Sequence, residues 1–269
     1  METIFITGTS TGLGKATAKL FADKGWRVIA TMRKPENEKE LTGIDNIILM
    51  ALDVTDKEQV QKVVSEVTSQ YDIDVVFNNA GYGLAGPFEG ADEEQIFRNI
   101  NTNLLGVMRV TQAFLPHFRK KGKGTFISTT SIGGSVTFPM NSVYHATKFA
   151  VEGWSESLAY ELEPFGIAVK TVAPGGIDTD FAGRSLDLSR HDAYDEIFTT
   201  VLNAFSDPER RTGHSSAHQI AEVVYEAATD GSDQVKYIAG SDAKELLALR
   251  NSIGPDNFRK EIKKIFMKI

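Results

Sequence analysis

The sequence predicts a doubly wound parallel α/β sheet in one domain of 269 residues. Three observations carry that expectation. Short, almost continuously apolar runs alternate with longer helical patterns, as when strands are covered on both faces. A glycine-rich turn joins the first run to the first helical pattern. Between residues 143 and 163, Val151, Trp154, Leu158 and Leu162 step by three or four, along one face of a 3.6-residue period.

The runs at 3–7, 27–32, 46–52, 74–77, 124–129, 167–173 and 235–238 are expected as strands. Helical patterns fill 13–24, 57–70, 93–115 and 143–163, the last stopped by Pro164. Such alternation implies right-handed crossovers and a sheet with helices on both faces. A domain of this length buries about three quarters of its unfolded surface, so its core needs no staples.

Composition excludes several function classes. With no cysteine, disulfides, thiolate metal sites and cysteine nucleophiles are absent, which suits a reducing cytoplasm. A net charge of −7 argues against nucleic acid as a partner. No stretch approaches the roughly 20 apolar residues of a membrane span. The first residues read as a strand beginning at once, not as a signal peptide.

The turn after the first strand reads Thr7-Gly8-Thr9-Ser10-Thr11-Gly12-Leu13-Gly14. A phosphate at a helix amino terminus needs exposed backbone N–H groups and no intruding Cβ atoms. Gly8 permits the tight exit from the strand, Gly12 the close approach of a pyrophosphate, and Gly14 close helix–strand packing. This reads as the turn of a Rossmann-type dinucleotide site, or else as an ordinary glycine-rich strand–helix turn, since its Gly-x3-Gly-x-Gly spacing differs from the common Gly-x-Gly-x-x-Gly. At the end of the second strand an NAD site wants an acid for the ribose hydroxyls. The sequence has Thr31-Met32-Arg33-Lys34 instead. A guanidinium at Arg33 suits a 2′-phosphate, so NADP is expected in preference to NAD.

Tyr144 and Lys148 lie four residues apart near the start of the best helical pattern and share one face. A free phenol, with a pKa of about 10, is a poor base near neutral pH. An ammonium roughly 4 Å away contributes about 4 kcal/mol at an effective dielectric near 20, enough to bring the phenol into range for proton transfer. Ser131 ends the fifth run, where residues line the ligand crevice of an open α/β sheet. Asn103 sits inside a helical pattern, where Asn is a weak helix former.

Together these residues resemble the single-domain branch of the short-chain dehydrogenases/reductases. The likeness rests on Thr7-Gly8-x3-Gly12-x-Gly14, Asp53-Val54, Asn78-Asn79-Ala80-Gly81, Asn103, Ser131, Tyr144-x3-Lys148 and Pro174-Gly175-Gly176-Ile177-Asp178-Thr179. The resemblance implies that Tyr144 passes a proton to or from the substrate oxygen and that Ser131 orients that oxygen. It implies that Lys148 binds the nicotinamide ribose and lowers the tyrosine pKa, and that Asn103 holds a relay water. Gly8, Ser10, Thr11, Gly12, Leu13 and Gly14 would cradle the pyrophosphate, and Asp53 and Val54 would contact adenine. Asn79, Ala80 and Gly81 would line the ribose and adenine side. Pro174 and Gly176 would also bind the cofactor, and Ile177 and Thr179 would clasp the nicotinamide carboxamide. Arg33 matches the position where NADP-preferring members are basic. Many of those also carry a basic residue where this chain has Thr11.

The resemblance places a substrate lid at about 181–213, with Phe181, Leu186, Leu188, Tyr194, Phe198 and Phe205, and a helical carboxyl-terminal extension at about 241–269. These side chains, with Tyr82, Leu84, Phe88, Phe138 and Met140, suit a largely apolar carbonyl or alcohol, or are simply core. His214 and His218 stand one helical turn apart but lack a third ligand, so no metal site is expected, and Ser215 or Ser216 reads as a helix cap. The basic amphipathic stripe from Phe258 to Ile269 reads as docking on the body or another subunit rather than on lipid. A homodimer or homotetramer is implied. The alternative function is a catalytically silent NADP-binding sensor, against which the intact Ser131, Tyr144 and Lys148 set argues; an epimerase or dehydratase fits less well.

Overall fold

In the computed structural model, which describes residues 1–179 and 185–269, seven strands form one parallel sheet. They are β1 (Thr3–Thr7), β2 (Arg27–Met32), β3 (Ile47–Ala51), β4 (Val75–Asn78), β5 (Gly124–Thr129), β6 (Ile167–Pro174) and β7 (Lys236–Ala239). Their order is β7-β6-β5-β4-β1-β2-β3, and every neighbouring pair is parallel. The chain starts in the middle, winds outward to β3, then crosses back beside β1 to build the other half. The reversal falls between β1 and β4, which opens a crevice at their carboxyl ends. All seven strands begin and end within one residue of the expected bounds.

Ten described helices flank the sheet: α1 (Gly12–Asp23), α2 (Lys57–Gln70), α3 (Glu93–Ile100), α4 (Gly106–Lys121), α5 (Ser142–Leu162), α6 (Asp195–Ser206), α7 (Pro208–Arg211), α8 (Ala217–Thr229), α9 (Ser241–Ile253) and α10 (Pro255–Met267). Strand β1 shows why there are two layers. Its side chains alternate, so Ile4 and Ile6 pack with Phe21 of α1 and Ile220 and Val224 of α8. Phe5 faces the opposite layer, with Val63 of α2, Phe114 of α4 and Leu158 of α5.

The helical pattern expected to end at 115 runs on to Lys121, across Pro116. Phe114 and Phe118, one turn apart, bury against Phe5 and Phe126 at ring-centroid distances of 4.9 and 4.8 Å. That burial outweighs the missing proline N–H; Gly122, in the left-handed region, ends the helix instead. The same long helix contains a π turn over Asn101–Leu105, in which Asn103 is buried.

The carboxyl-terminal stripe docks on the body. Phe258, Ile262 and Phe266 of α10 are buried, while Arg259, Lys260, Lys263 and Lys264 face outward. The Phe266 ring lies 4.6 Å from Phe205 of α6 and 5.4 Å from Phe138. Among the described residues, no helix is long and apolar enough to cross a membrane.

Candidate active site

The glycine turn is built as a cradle. Gly8 and Gly12 both adopt positive φ, 72° and 56°, a region other residues enter at a cost. A Cβ on Gly12 would meet nothing nearer than the Thr179 side chain at 3.8 Å, so the space above this turn is open. A Cβ on Gly14 would instead overlap the Gly8 carbonyl oxygen and come within 2.5 Å of Asn79 Nδ2. The amino-terminal residue of α1, Thr11, makes no capping bond with its side chain. The first-turn amides are thus left without a side-chain cap, at the positive end of the helix, which fits a dinucleotide pyrophosphate. Ser10 is exposed and Leu13 buried beneath the turn.

The turn is tied to the strands beside it. Thr9 N–H and its hydroxyl both donate to the Thr31 carbonyl, at 3.0 and 3.1 Å. Asn79 Nδ2 donates to the Thr7 and Gly8 carbonyls, each at 3.1 Å. The Asn79 and Ala80 amides donate to the Thr7 hydroxyl, each at 3.0 Å. At the end of β2, Arg33 and Lys34 are exposed and form no ion pair among the described residues. The other nearby cation, Lys15, is held by Glu38 at 3.1 Å and Glu40 at 2.9 Å. Asp53 Oδ1 accepts from the Thr55 amide and hydroxyl, and Val54 is buried against Gly106.

Ser131, Tyr144, Lys148 and Asn103 come together at the carboxyl ends of β4 and β5. Ser131 follows β5 and caps a short 3₁₀ turn, its Oγ accepting from the Gly133 amide at 3.0 Å. Its hydroxyl faces the Tyr144 phenol and favours the ionised form of that group. Lys148 is buried, donates to the Thr129 carbonyl at 3.0 Å, and lies 5.7 Å from the centre of the Tyr144 ring. Asn103 is engaged on both sides of its amide: Oδ1 accepts from Tyr82 N–H at 3.0 Å, and Nδ2 donates to the Tyr82 carbonyl at 2.8 Å. It therefore fixes the segment after β4, just past Gly81.

The electrostatics depart from the expected direct activation of the phenol. Burial pushes the Tyr144 phenol above its usual range, and the Ser131 bond offsets only part of this. Burial also lowers the Lys148 ammonium to about 8, with Glu152 opposing the fall. The phenol is therefore protonated near neutral pH. Burial is the dominant cause, and the ammonium is itself engaged by the Thr129 carbonyl.

At the far rim, Pro174 ends β6 and the chain turns through Gly175 and Gly176. The Gly175 amide donates to the Ala239 carbonyl at 3.0 Å and the Gly176 amide to Asp242 Oδ2 at 2.7 Å. Ile177 and Asp178 pair with Ser215 and Ser216, after which Thr179 reaches the Gly12 side of the cradle. Of the lid, Phe181 lies outside the described residues. The stretch Leu186–Leu188 pairs with Gly83–Ala85. Ser216 caps α8 in a capping box with Gln219. His214 and His218 point to separate acids, Asp178 and Glu222, each at 3.7 Å.

Three contributors went unread in the sequence. Glu152 stands one turn beyond Lys148 and accepts from the Thr130 and Thr171 hydroxyls; the continued step of four from Tyr144 and Lys148 would have found it. Asp242 comes from a distant helix and leaves no local signal. His145, beside Tyr144, is bonded through both ring nitrogens.

This fold and site define a dinucleotide-linked oxidoreductase. The short chain dehydrogenase pattern matches residues 2–188, and the chain belongs to that family. It is 34% identical to the 3-ketodihydrosphingosine reductase of Bacteroides thetaiotaomicron, over 100% of this chain and 98% of that protein. A short-chain dehydrogenase from Streptomyces avermitilis superposes with a TM-score of 0.85 at 31% identity, covering 98% of this chain and 95% of that one. ElxO with NADP bound superposes with a TM-score of 0.74 at 27% identity, covering 88% and 97%.

Proposed function

We propose that the protein is an NADP-dependent reductase or dehydrogenase that moves a hydride between the nicotinamide and the alcohol/carbonyl group of a largely apolar substrate. The observation that carries this reading is the convergence of Ser131, Tyr144 and Lys148 beside an open glycine cradle. The nicotinamide, when bound, supplies or accepts the hydride. In the reducing direction Tyr144, protonated near neutral pH, gives its proton to the carbonyl oxygen as that oxygen becomes an alcohol; in reverse it takes the proton back. Ser131 Oγ accepts from the Gly133 amide, and its O–H, which faces the Tyr144 phenol, would hold the substrate oxygen beside that phenol. Lys148 donates to the ribose hydroxyls. Asn103 has its side chain committed to Tyr82, so a relay water would be bound through the main chain of the π turn.

NADP is favoured over NAD by the exposed Arg33, which forms no ion pair among the described residues, and by the absence of an acid at the end of β2. Asp53 and Val54 serve adenine, Asn79, Ala80 and Gly81 the ribose side, and Pro174, Gly176, Ile177 and Thr179 the carboxamide. An apolar substrate is supported by Phe138, Met140 and Phe205 near the catalytic helix. The keto substrate in the name of the Bacteroides relative agrees. The exposed Leu105 and Phe149, on the long helical segments, support a homodimer or homotetramer, and the absence of cysteine suits the cytoplasm.

The test is NADPH consumption against a panel of apolar ketones, 3-ketodihydrosphingosine and pyruvate, with wild type and Tyr144→Phe. Turnover of the apolar ketones by wild type alone, with NADPH binding retained in the variant, supports the reading. Turnover of pyruvate alone would overturn the substrate class. An equally active Tyr144→Phe would overturn the acid/base assignment.

A further inference from the structure

The loop from Ser131 to Asn141 connects β5 to α5 and carries the hydroxyl that faces Tyr144. One side chain of α5 holds this loop at two places. The Phe138 amide donates to His145 Nε2 at 2.9 Å, and His145 Nδ1 lies 2.7 Å from the Gly133 carbonyl oxygen. A backbone amide only donates and a carbonyl only accepts. Nε2 is therefore bare, and Nδ1 carries the proton. Both nitrogens are satisfied by the neutral ring, and burial pushes the imidazole below its ordinary range, which keeps it neutral.

Gly133 is the link to Ser131. Its carbonyl is held by His145, and its amide donates to Ser131 Oγ at 3.0 Å. The two ends of one residue thus join the imidazole to the hydroxyl. The fit is close: a Cβ on Gly133 would lie 2.9 Å from His145 Cε1 and Nδ1 and 3.3 Å from Ser131 Oγ. At the other anchor, the Phe138 ring lies 5.9 Å from the imidazole and packs on Phe205 and Phe266. The same imidazole therefore fixes the loop at its serine end and at its aromatic end.

We propose that His145 is a positioning residue: through the Gly133 peptide it sets the Ser131 hydroxyl against Tyr144, and through the Phe138 amide it sets the aromatic wall beside them. The proposal rests on the assignment of Ser131 and Tyr144 above. It requires no contact of His145 with substrate or cofactor, so its effect on kcat must pass through Ser131, while the aromatic wall bears on substrate binding. A displacement of a catalytic hydroxyl by about 1 Å lowers turnover by up to about a hundredfold.

The experiment is a double-mutant cycle on kcat, read with NADPH and the fastest apolar ketone of the panel, alongside NADPH affinity measured by fluorescence. His145→Phe is expected to lower kcat by about ten- to a hundredfold while NADPH affinity changes less than about twofold. In a Ser131→Ala background the same substitution is expected to lower kcat by less than about threefold, because the group it positions is gone. His145→Gln, which keeps a donor and an acceptor, is expected to recover part of the loss. It also replaces His145→Phe in the cycle if that variant does not fold. An equal loss in both backgrounds, or no loss in either, overturns the proposal. Tyr144→Phe distinguishes this from failure of the site itself: its full activity would overturn the site, whereas an inactive Tyr144→Phe with an unaffected His145→Phe overturns the positioning role alone.

Discussion

The Lys148 ammonium lies 5.7 Å from the centre of the Tyr144 ring and donates to the Thr129 carbonyl at 3.0 Å, inside the protein. Burial lowers its pKa from 10.5 to about 8, so the folded state disfavours the charged form. The cost is fully present below about 8 and disappears as pH rises toward 10.5, because only the unfolded chain then gains by holding the proton. Lys148→Met should therefore be more stable than wild type at pH 7 by about 1–3 kcal/mol, after allowing about 1 kcal/mol for the lost hydrogen bond. The advantage should shrink by pH 10, and turnover should be lost at both. Urea unfolding at the two pH values tests this. A variant less stable at pH 7 would contradict it.

Two glycines of the cradle should fail differently. Gly14→Ala places a methyl group on the Gly8 carbonyl and against Asn79 Nδ2, and should destabilise the fold by about 1–3 kcal/mol or more. Gly12→Ala has room but keeps a positive φ of 56°; it should cost about 1–2 kcal/mol of strain while placing its methyl where a pyrophosphate would lie. Thermal unfolding with and without NADPH separates them. In Gly12→Ala, stabilisation by NADPH should largely vanish from a protein that still folds.

Arg33 should set the choice of nucleotide. Its guanidinium is free of ion pairs among the described residues, while Lys15 is engaged by Glu38 and Glu40. Losing a charge-assisted bond costs about 1.5–3 kcal/mol, so Arg33→Ser should lower the ratio of kcat/KM for NADPH over NADH by about 10- to 100-fold. An unchanged ratio would remove Arg33 from nucleotide recognition.

Phe266 ties α10 to Phe205 and Phe138. Phe266→Ala should lower stability by about 3–5 kcal/mol and raise KM for apolar ketones, since it removes support from the wall beside the site. NADPH affinity should hold, because the rings that Phe266 packs on, Phe205 and Phe138, lie outside the glycine turn. Steady-state kinetics and NADPH titration together check this.

The strands were legible because the central ones, such as β1, β4 and β6, are buried on both faces, and such burial writes a nearly continuous apolar run whatever its neighbours are. Gly8, Gly12, Gly14 and the Tyr144–Lys148 pair were legible because their spacing is local. What escaped depends on partners far along the chain. Pro116 reads as a stop until Phe118 is seen against Phe126. Asp242 holds the Gly176 amide across the gap between β6 and α9. His145 lies off the Tyr144–Lys148 face, and its partners are backbone groups of a loop, which no residue pattern marks. The bond from Lys148 to the Thr129 carbonyl was likewise invisible in the sequence.

The placement of α10 bears on the protein's synthesis. Strands β1 to β5 and helix α5, which hold the cradle, Ser131 and Tyr144, emerge from the ribosome well before Phe266. A nascent chain thus owns the parts that grip a nucleotide while the wall that Phe266 braces is still inside the tunnel. Any affinity for the cofactor should therefore develop before the wall proposed to meet an apolar substrate is braced by α10.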